Sequence, residues 1–190
     1  VSDLAYGALG HQGYENPSFL STPGAKDVGI EFYTFSKTFN MAGWRLGFAA
    51  GNAQMIETLN LIQDHLFVGI FPALQEAGIA ALLDPKSEEA VAQLNATYDS
   101  RRDAFVQAAA KIGWQAFPSR GSFYAWMPVP EGFTSESFAN LLLEKAHVAV
   151  APGKGFGPAG DAYVRIGLLV EPERLVEAVD RIANLHLFNN

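Results

Sequence analysis

Hydrophobic and polar positions follow two different patterns along this chain. Some segments are short continuous apolar runs, which is typical of buried strands, and others repeat apolar residues every three or four positions, which is typical of amphipathic helices. The short runs predict strands over residues 30–35, 46–50, 114–117, 122–127, 148–151 and 162–167, and the end of a strand within residues 1–6. The periodic segments predict helices over residues 53–66, 73–83, 87 to about 112, 135–146 and 172 to about 185.

The order of these elements indicates two parts. In residues 1–86, strands alternate with helices after a turn-rich start, which favours an α/β layered sheet. The Asp84-Pro85-Lys86 stretch interrupts the chain, and a long amphipathic helix begins at Ser87. The strands and helices that follow read as an α+β unit. We therefore predict a boundary at 86/87, with an incomplete α/β domain in residues 1–86 and a small domain in residues 87–190 that begins with a long interdomain helix.

The composition indicates a folded protein and argues against several classes of function. Apolar residues make up 49% of the chain and charged residues 17%, which is a globular composition. The formal net charge is −7 and there is no basic stripe, so we expect no nucleic-acid binding by this segment. No apolar run reaches the roughly 18 residues of a membrane helix. Cysteine is absent and the histidines lack metal-ligand spacing, which fits a cytoplasmic protein without a metal site.

The most distinctive chemistry lies around Lys37. The predicted strand 30–35 leads into the hydroxyl-rich turn Thr34-Phe35-Ser36-Lys37, and Arg45 follows ahead of the next apolar run. A lysine held among apolar neighbours can lose its proton and attack an aldehyde. An arginine can bind a phosphate through its planar fork of donors. An aldehyde that bears a phosphate is pyridoxal 5′-phosphate (PLP), so the pattern points to a Schiff-base enzyme.

Each of these residues also has an ordinary interpretation. Most lysines are solvated surface charges, and the alternative for Arg45 is a surface ion pair with Glu31 or Asp27. The hydroxyls of Thr34 and Ser36 would equally suit a turn without any ligand. The conjunction of strand, turn and spacing favours the functional interpretation of the lysine and the arginine, whereas both interpretations stay open for the hydroxyls.

The stretch from Thr34 to Gly47 resembles the lysine signature of the class I/II aminotransferases, which are PLP enzymes of fold type I. The family usually has glycine or serine where this chain has Thr34, and the threonine keeps a hydroxyl. The Ser36–Arg45 run, together with Gly24–Glu31 before it, is most similar to one branch of the family. That branch includes LL-diaminopimelate aminotransferase-like and methionine-salvage aminotransferase-like proteins. The resemblance covers essentially the whole chain.

The resemblance implies the fold and the extent of the chain. It implies the C-terminal part of the PLP-binding large domain, a three-layer α/β/α arrangement, followed by the α+β small domain. Val1 is no initiator and residues 1–6 read as the end of a strand, so we expect that roughly the first half of an aminotransferase lies upstream. In the family the active site lies at a dimer interface, which implies a homodimer.

The resemblance also implies roles for individual residues. Lys37 would carry PLP as a Schiff base and then move a proton between the substrate and the cofactor. In the family's Asp-x-Ala-Tyr stretch, which is Asp3 to Tyr6 here, the aspartate keeps the pyridine nitrogen protonated and the tyrosine lies beside the phenolic oxygen. Without the lysine downstream, such a pair is common in turns. The phosphate would be bound by three residues of the signature, namely Thr34, Ser36 and Arg45.

Arg165 lies in the predicted strand 162–167, and the alternation of the strand sends it to the face opposite Val164 and Ile166. In the family an arginine in this setting binds the substrate α-carboxylate through two hydrogen bonds. The alternative is a charge on an edge strand that prevents aggregation. The preceding Gly153–Gly157 stretch matches no phosphate-binding motif and reads as a flexible loop. The aromatic residues of 121–126 read as core, although Phe123 or Tyr124 would be able to approach the site.

The function that follows is reversible transfer of an amino group between an L-amino acid and a 2-oxo acid by a ping-pong mechanism. Three alternatives stay open: a PLP-dependent β-lyase or decarboxylase on the same fold, a PLP-sensing domain of a transcription regulator, and a non-catalytic dimerisation piece. Residues 67–72 are apolar where some dicarboxylate-specific relatives have a second arginine, which favours a neutral or thioether substrate side chain. Because one wall of the phosphate site is expected upstream, we expect these residues alone to bind PLP weakly and to turn over little.

Overall fold

The structure, a computed structural model, describes residues 1–117 and 119–188. The helices are α1 (Ala25–Val28), α2 (Phe35–Thr38), α3 (Ala53–Leu66), α4 (Pro72–Leu83), α5 (Ser87–Lys111), α6 (Ser135–Leu141) and α7 (Pro172–Ala183). The strands are β1 (Ser2–Asp3), β2 (Ile30–Thr34), β3 (Gly47–Gly51), β4 (Tyr124–Pro128), β5 (Ala151–Pro152) and β6 (Tyr163–Gly167). Short 3₁₀ turns connect several of them, and a π-helical turn, Leu142–Ala146, continues α6.

The long helices form where the sequence predicts them, and their ends have local causes. Helix α3 begins after Asn52, whose side chain accepts a hydrogen bond of 3.0 Å from the backbone N–H of Met55. Helix α4 has Pro72 in its first turn, where a missing N–H costs nothing. Helix α5 carries Glu88 and Glu89 in its first turn, which favours its N-terminal dipole.

Two compact units make up the chain: the first is Val1–Asn95 and the second begins at Ala96. This division falls inside α5, whereas the sequence predicts a boundary at 86/87, where that helix begins. The division describes which residues contact one another. The assignment of 1–86 to a large PLP-binding domain and of 87–190 to a small domain stays a prediction.

The first unit is organised by a three-stranded sheet in the order β1-β2-β3. Strands β1 and β2 are parallel, with Asp3 opposite Phe32. Strands β2 and β3 are antiparallel, with Thr34 opposite Gly47. This register places the last residues of β1 and β2 and the first residues of β3 at one edge of the sheet.

A buried carboxylate joins this sheet to the preceding turn. Glu31 on β2 is only 6% exposed. It accepts hydrogen bonds from the hydroxyls of Ser2 (2.9 Å) and Ser18 (2.6 Å) and from the backbone N–H of Phe19 (2.8 Å). Burial raises the pKa of Glu31, but the hydrogen bonds from Ser18, Phe19 and Ser2 outweigh it, and the net effect is a pKa below its ordinary value.

We expect Glu31→Gln to lower the free energy of unfolding by about 1–3 kcal/mol at pH 7, because an amide accepts fewer of these hydrogen bonds and carries no charge. A carboxyl whose pKa is lowered by folding stabilises the protein above its unfolded-state pKa, and that contribution is lost as the pH falls through the lowered value. The difference between the variant and the parent should therefore shrink in acid. Urea unfolding from pH 7 to pH 3 measures it. Glu15→Gln, at an exposed site, is the control, and equal effects of the two substitutions would contradict the prediction.

Helix α4 packs closely on the turn that follows β2. Phe35, Met41 and Leu46 form a buried cluster. Gly78 of α4 is buried against it, and a Cβ atom there would lie 2.7 Å from Cδ2 of Leu46 and 3.3 Å from Cζ of Phe35. The glycine therefore permits the approach of α4 to the residues around Lys37.

The first unit also exposes many large apolar side chains on α3, on α4 and on the segment between them. In that segment Phe67 is 71% exposed, Val68 is 89% exposed and Phe71 is 69% exposed. The apolar character predicted for residues 67–72 therefore lies on the surface of this unit.

The second unit contains a three-stranded antiparallel sheet in the order β4-β6-β5. Val164 and Ile166 of the central strand β6 face the core, where Val164 is completely buried. The core also receives Leu175, Val179 and Ile182 from α7, which the helical spacing predicts as its inward face. A second set of large side chains completes this core: Phe105, Trp114, Met127, Phe138 and Leu142.

The predicted strand 114–117 is wrong. Only Phe117 forms a bridge, to Trp126, and the residues before it are not paired as a strand. Trp114 lies instead in the core with 1% of its surface exposed, and its indole N–H donates to the carbonyl of Pro128 at 2.7 Å. A buried indole with a satisfied N–H explains this short apolar run without a strand.

In the part of the chain that the structure describes, no helix is both long and apolar enough to cross a membrane. Among the same residues, no group of three or more histidine, aspartate or glutamate side chains is arranged to hold a metal ion.

Candidate active site

The residues of the lysine signature meet at one edge of the sheet in the first unit. Because β1 and β2 are parallel, Asp3 and Thr34 end their strands at this edge. Because β3 is antiparallel to β2, the residues that lead into Gly47 start from the same edge. Ligands of open α/β sheets commonly bind outside the carboxyl ends of parallel strands. Asp3, the Thr34–Lys37 turn and Arg45 therefore follow or precede strand ends on the side of the sheet where such a ligand commonly binds.

Lys37 is held in a short, well-anchored turn. Thr34 begins helix α2, and its hydroxyl accepts a hydrogen bond of 3.1 Å from the backbone N–H of Ser36. The hydroxyls of these two residues lie 2.9 Å apart. The backbone N–H of Phe35 donates to the carbonyl of Leu46 at 3.2 Å, which ties the turn to the start of β3. Lys37 itself is half-buried in α2.

The hydroxyl of Thr34 therefore does form the turn, as one of the two interpretations requires. The same hydroxyl donates to the hydroxyl of Ser36, so under the second interpretation the O–H of Ser36 would be the donor to a phosphate, and that interpretation stays open. Thr38, the last residue of α2, is also held by a hydrogen bond: the hydroxyl of Tyr33 donates to the hydroxyl of Thr38 at 2.8 Å.

Arg45 has an unusual backbone and an exposed side chain. It lies in the left-handed region with φ 54°, which is uncommon for a residue with a Cβ atom. One of its terminal nitrogens donates to the carbonyl of Ala42 at 3.1 Å, and the residue is exposed. The ion pair with Glu31 or Asp27 that the sequence left open is absent: Arg45 pairs with neither residue in the described structure, and Glu31 is engaged by hydroxyls.

The Asp3–Tyr6 stretch continues β1 into a tight turn. Asp3 is exposed at the strand end, and Tyr6 is half-buried. The side-chain amide of Asn16 donates to the carbonyls of Tyr6 (3.0 Å) and Leu9 (3.1 Å). Asn16 was not predicted to matter for the site. Only its place before a proline in a turn-rich segment hinted at a role, and that signal is too common to single it out.

Arg165 lies in the second unit, on the central strand of its sheet. Strand β6 has β4 on one side and β5 on the other, so the alternative of a charge on an edge strand is wrong. As the alternation predicts, Arg165 is on the face opposite the buried Val164 and Ile166. Its guanidinium carbon lies 4.0 Å from the ring centre of Tyr124 and 4.3 Å from that of Phe156. Among the described residues no acidic side chain forms an ion pair with it.

The aromatic strand and the glycine-rich loop each contribute one of these rings. Tyr124 contacts Arg165, whereas Phe123 is 5% exposed and packs in the core beside Tyr98. The Gly153–Gly157 stretch, predicted as a flexible loop, forms a 3₁₀ turn. A Cβ atom at Gly153 would lie 2.1 Å from the carbonyl oxygen of Gly160, so the loop is closely packed at its base.

The donor set of the first unit's edge fits PLP. It offers the amine of Lys37, the carboxylate of Asp3, the hydroxyls of Thr34 and Ser36, and the guanidinium of Arg45. An amine suits an aldehyde, a carboxylate suits a protonated ring nitrogen, and hydroxyls with an exposed guanidinium suit a phosphate.

Comparison with known proteins agrees with this chemistry. A sequence model described as aminotransferase class I and II matches residues 1–182. The chain therefore belongs to the class I and II aminotransferase family.

Individual relatives support the same assignment. The L-glutamine--4-(methylsulfanyl)-2-oxobutanoate aminotransferase of Bacillus subtilis is 59% identical over 188 residues, which are 99% of this chain and 47% of the relative. The LL-diaminopimelate aminotransferase of Moorella thermoacetica is 47% identical over 180 residues, which are 95% of this chain and 46% of the relative. A solved structure of apo BacF from Bacillus subtilis has a TM-score of 0.92 and 44% identity, and the match covers 99% of this chain and 48% of that one.

These matches confirm the predicted family, its branch and the fold class. The chain spans about half the length of the curated relatives it matches.

Proposed function

We propose that this chain is part of a PLP-dependent aminotransferase and carries its cofactor lysine and the arginine for the substrate carboxylate. The observation that supports this most is the register of the first sheet. It brings the strand ends next to Asp3, the Thr34–Lys37 turn and Arg45 to the same side of the sheet, which supports a shared cofactor site. Membership of the class I and II aminotransferase family supports the view that these residues bind one cofactor.

PLP, when bound, supplies an aldehyde that reacts with amines and a ring that takes up electrons from the substrate. The residues of this chain then have separate tasks. Lys37 would hold the cofactor covalently through Nζ and, once released, would carry a proton on the same atom. The carboxylate of Asp3 would favour a protonated ring nitrogen, and Tyr6 would lie beside the phenolic oxygen. The phosphate is bound by the three signature residues, namely Thr34, Ser36 and Arg45.

Arg165 is proposed to bind the α-carboxylate of the substrate. Its guanidinium forms no ion pair with an acidic side chain among the described residues. Its backbone is part of strand β6, whose neighbouring residues Val164 and Ile166 are buried. A carboxylate held by two parallel hydrogen bonds has a fixed orientation, which favours removal of the proton from the adjacent carbon.

The proposed substrates are an L-amino acid and a 2-oxo acid, used in turn. The exposed apolar residues of segment 67–72 support a neutral or thioether side chain over a second carboxylate. One similar relative is named for L-glutamine and 4-(methylsulfanyl)-2-oxobutanoate, which have no second carboxylate and agree with this preference. Another is named for LL-diaminopimelate, which does carry a second carboxylate, so the amino acid panel below decides between them. The proposal is completed by a homodimer, as the family resemblance implies, and by a cytoplasmic location, which fits the absence of cysteine.

A panel of amino acids tests the function in the complete protein, the polypeptide in which this chain occurs. We expect methionine or glutamine to convert the bound cofactor to its amino form, visible as loss of its yellow absorbance, and a 2-oxo acid to restore it. Steady-state turnover should require the oxo acid. Release of ammonia without an acceptor would instead support the β-lyase alternative, and the absence of any reaction would support the sensing or dimerisation alternatives. The relatives found are aminotransferases, which supports none of these three.

A further inference from the structure

The guanidinium of Arg165 contacts two aromatic rings from different parts of the second unit. Tyr124 comes from the neighbouring strand β4, and Phe156 comes from the turn before β6. We propose that Phe156 and Tyr124 are positioning residues, which hold the guanidinium between their rings so that its N–H edge is presented to the substrate carboxylate. This inference rests on the proposed function.

Ring contacts suit this task because they fix the guanidinium without using its donors. A planar guanidinium stacks on aromatic faces and keeps its N–H groups free in the plane. An arginine side chain loses considerable rotamer freedom when it binds a ligand, and a side chain that is already restrained loses less. Among the described residues no acidic side chain forms an ion pair with Arg165, and its guanidinium lies against the rings of Tyr124 and Phe156.

Phe156 is itself held by a network built around a buried serine. Ser135 is completely buried at the start of α6, and its hydroxyl donates to Asp161 at 2.7 Å. The same hydroxyl accepts a hydrogen bond of 3.2 Å from the backbone N–H of Lys154. The hydroxyl and backbone N–H of Ser135 hold the pKa of the Asp161 carboxyl below its ordinary value, which keeps the acceptor ionised. The network anchors the turn two residues before Phe156.

The side chain of Phe156 gains a further contact from the sheet. The ring of Trp126 on β4 meets it edge to face at 5.8 Å and 72°, and Trp126 is stacked on Tyr163 at 5.4 Å. Phe156 nevertheless remains 53% exposed. Phe156 is thus exposed to solvent, lies in a turn that is held by hydrogen bonds, and contacts the guanidinium of Arg165. A role in fixing that guanidinium explains why such a large apolar side chain stays at the surface.

Kinetics of the complete protein test the proposal. We expect Phe156→Leu to raise KM for both the amino acid and the oxo acid about fivefold to tenfold, with kcat changed by less than about twofold, because only carboxylate binding loses its restrained partner. Phe156→Tyr should restore KM. Tyr124→Leu should behave like Phe156→Leu, and Tyr124→Phe should resemble the parent.

Phe117→Leu is the matched control. Phe117 is 57% exposed and its ring meets Tyr163, not Arg165. The control should leave KM unchanged. Equal KM values in Phe156→Leu and Phe117→Leu would overturn the proposal.

A second readout does not depend on activity. In the complete protein, the side-chain Nε–H resonance of Arg165, assigned with Arg165→Lys, is expected to be shifted by the ring currents of its neighbours. It should move in Phe156→Leu and Tyr124→Leu and stay in place in Phe117→Leu. An unmoved resonance would overturn the proposed stacking, even if the complete protein proves not to be an aminotransferase. A moved resonance with unchanged KM would overturn the proposed effect on substrate binding.

Discussion

Replacement of Lys37 by alanine is expected to remove covalent PLP binding and to slow transamination at least about 10²- to 10⁴-fold, which is the usual contribution of a positioned general base. The rate should fall further than this range if loss of covalent PLP binding adds to loss of the general base, because the Nζ atom of Lys37 performs both functions. Lys37→Arg should be equally inactive, since it keeps the charge but supplies no amine that exchanges with the substrate. Single-turnover absorbance of the complete protein, mixed with an amino acid, measures the effect.

The matched control for this experiment is Lys26→Ala. Lys26 is exposed on α1, away from the strand edge that carries the signature. It should leave the rate unchanged. Full activity of Lys37→Ala, or an equal loss in Lys26→Ala, would contradict the role given to Lys37.

Replacement of Arg165 by lysine is expected to have the second largest effect. Hydrogen bonds to a charged group contribute about 1.5–3 kcal/mol, so loss of the planar fork should raise KM for the amino acid and the oxo acid roughly 10- to 100-fold. Arg165→Ala should raise KM further. The absorbance of the bound cofactor should be unaffected in both variants, because this residue is proposed to bind the substrate and not PLP.

Arg174→Lys provides the comparison for Arg165. Arg174 lies on α7 and pairs with Glu177 at the surface, so its replacement should change KM by less than about twofold. If Arg165→Lys binds both substrates as well as the parent does, the carboxylate-binding role is wrong.

Much of the fold was predictable because its signals are local. Helix α3 has both an apolar period and the Asn52 cap, and its observed limits are the predicted ones. The proline at the start of α4 and the Asp84-Pro85 break act in the same way. The predicted strand 114–117 failed because a short apolar run carries no information about pairing. Trp114 is buried against Phe105 of α5 and Phe138 of α6, and only Phe117 reaches β4.

In the candidate site, too, the residues with local signals were predictable and those that depend on tertiary contacts were not. The lysine signature was predictable because its spacing from Thr34 to Arg45 is contained in one strand–turn–strand unit. The supporting residues were not. Glu31 acts through hydroxyls that approach from two other segments, and Phe156 reaches Arg165 only when the turn is packed against α6. Such contacts depend on tertiary pairing, which a single sequence does not reveal.

The central claim is that the amine of Lys37 binds PLP. Incubation of the complete protein with PLP, reduction with sodium borohydride and mass mapping of the peptides tests it directly, because borohydride converts a carbon–nitrogen double bond into a stable amine. The account predicts a pyridoxyl label on the peptide that contains Lys37 and no label there in Lys37→Ala. A label on a different lysine, or an unlabelled Lys37 peptide at saturating PLP, would contradict it.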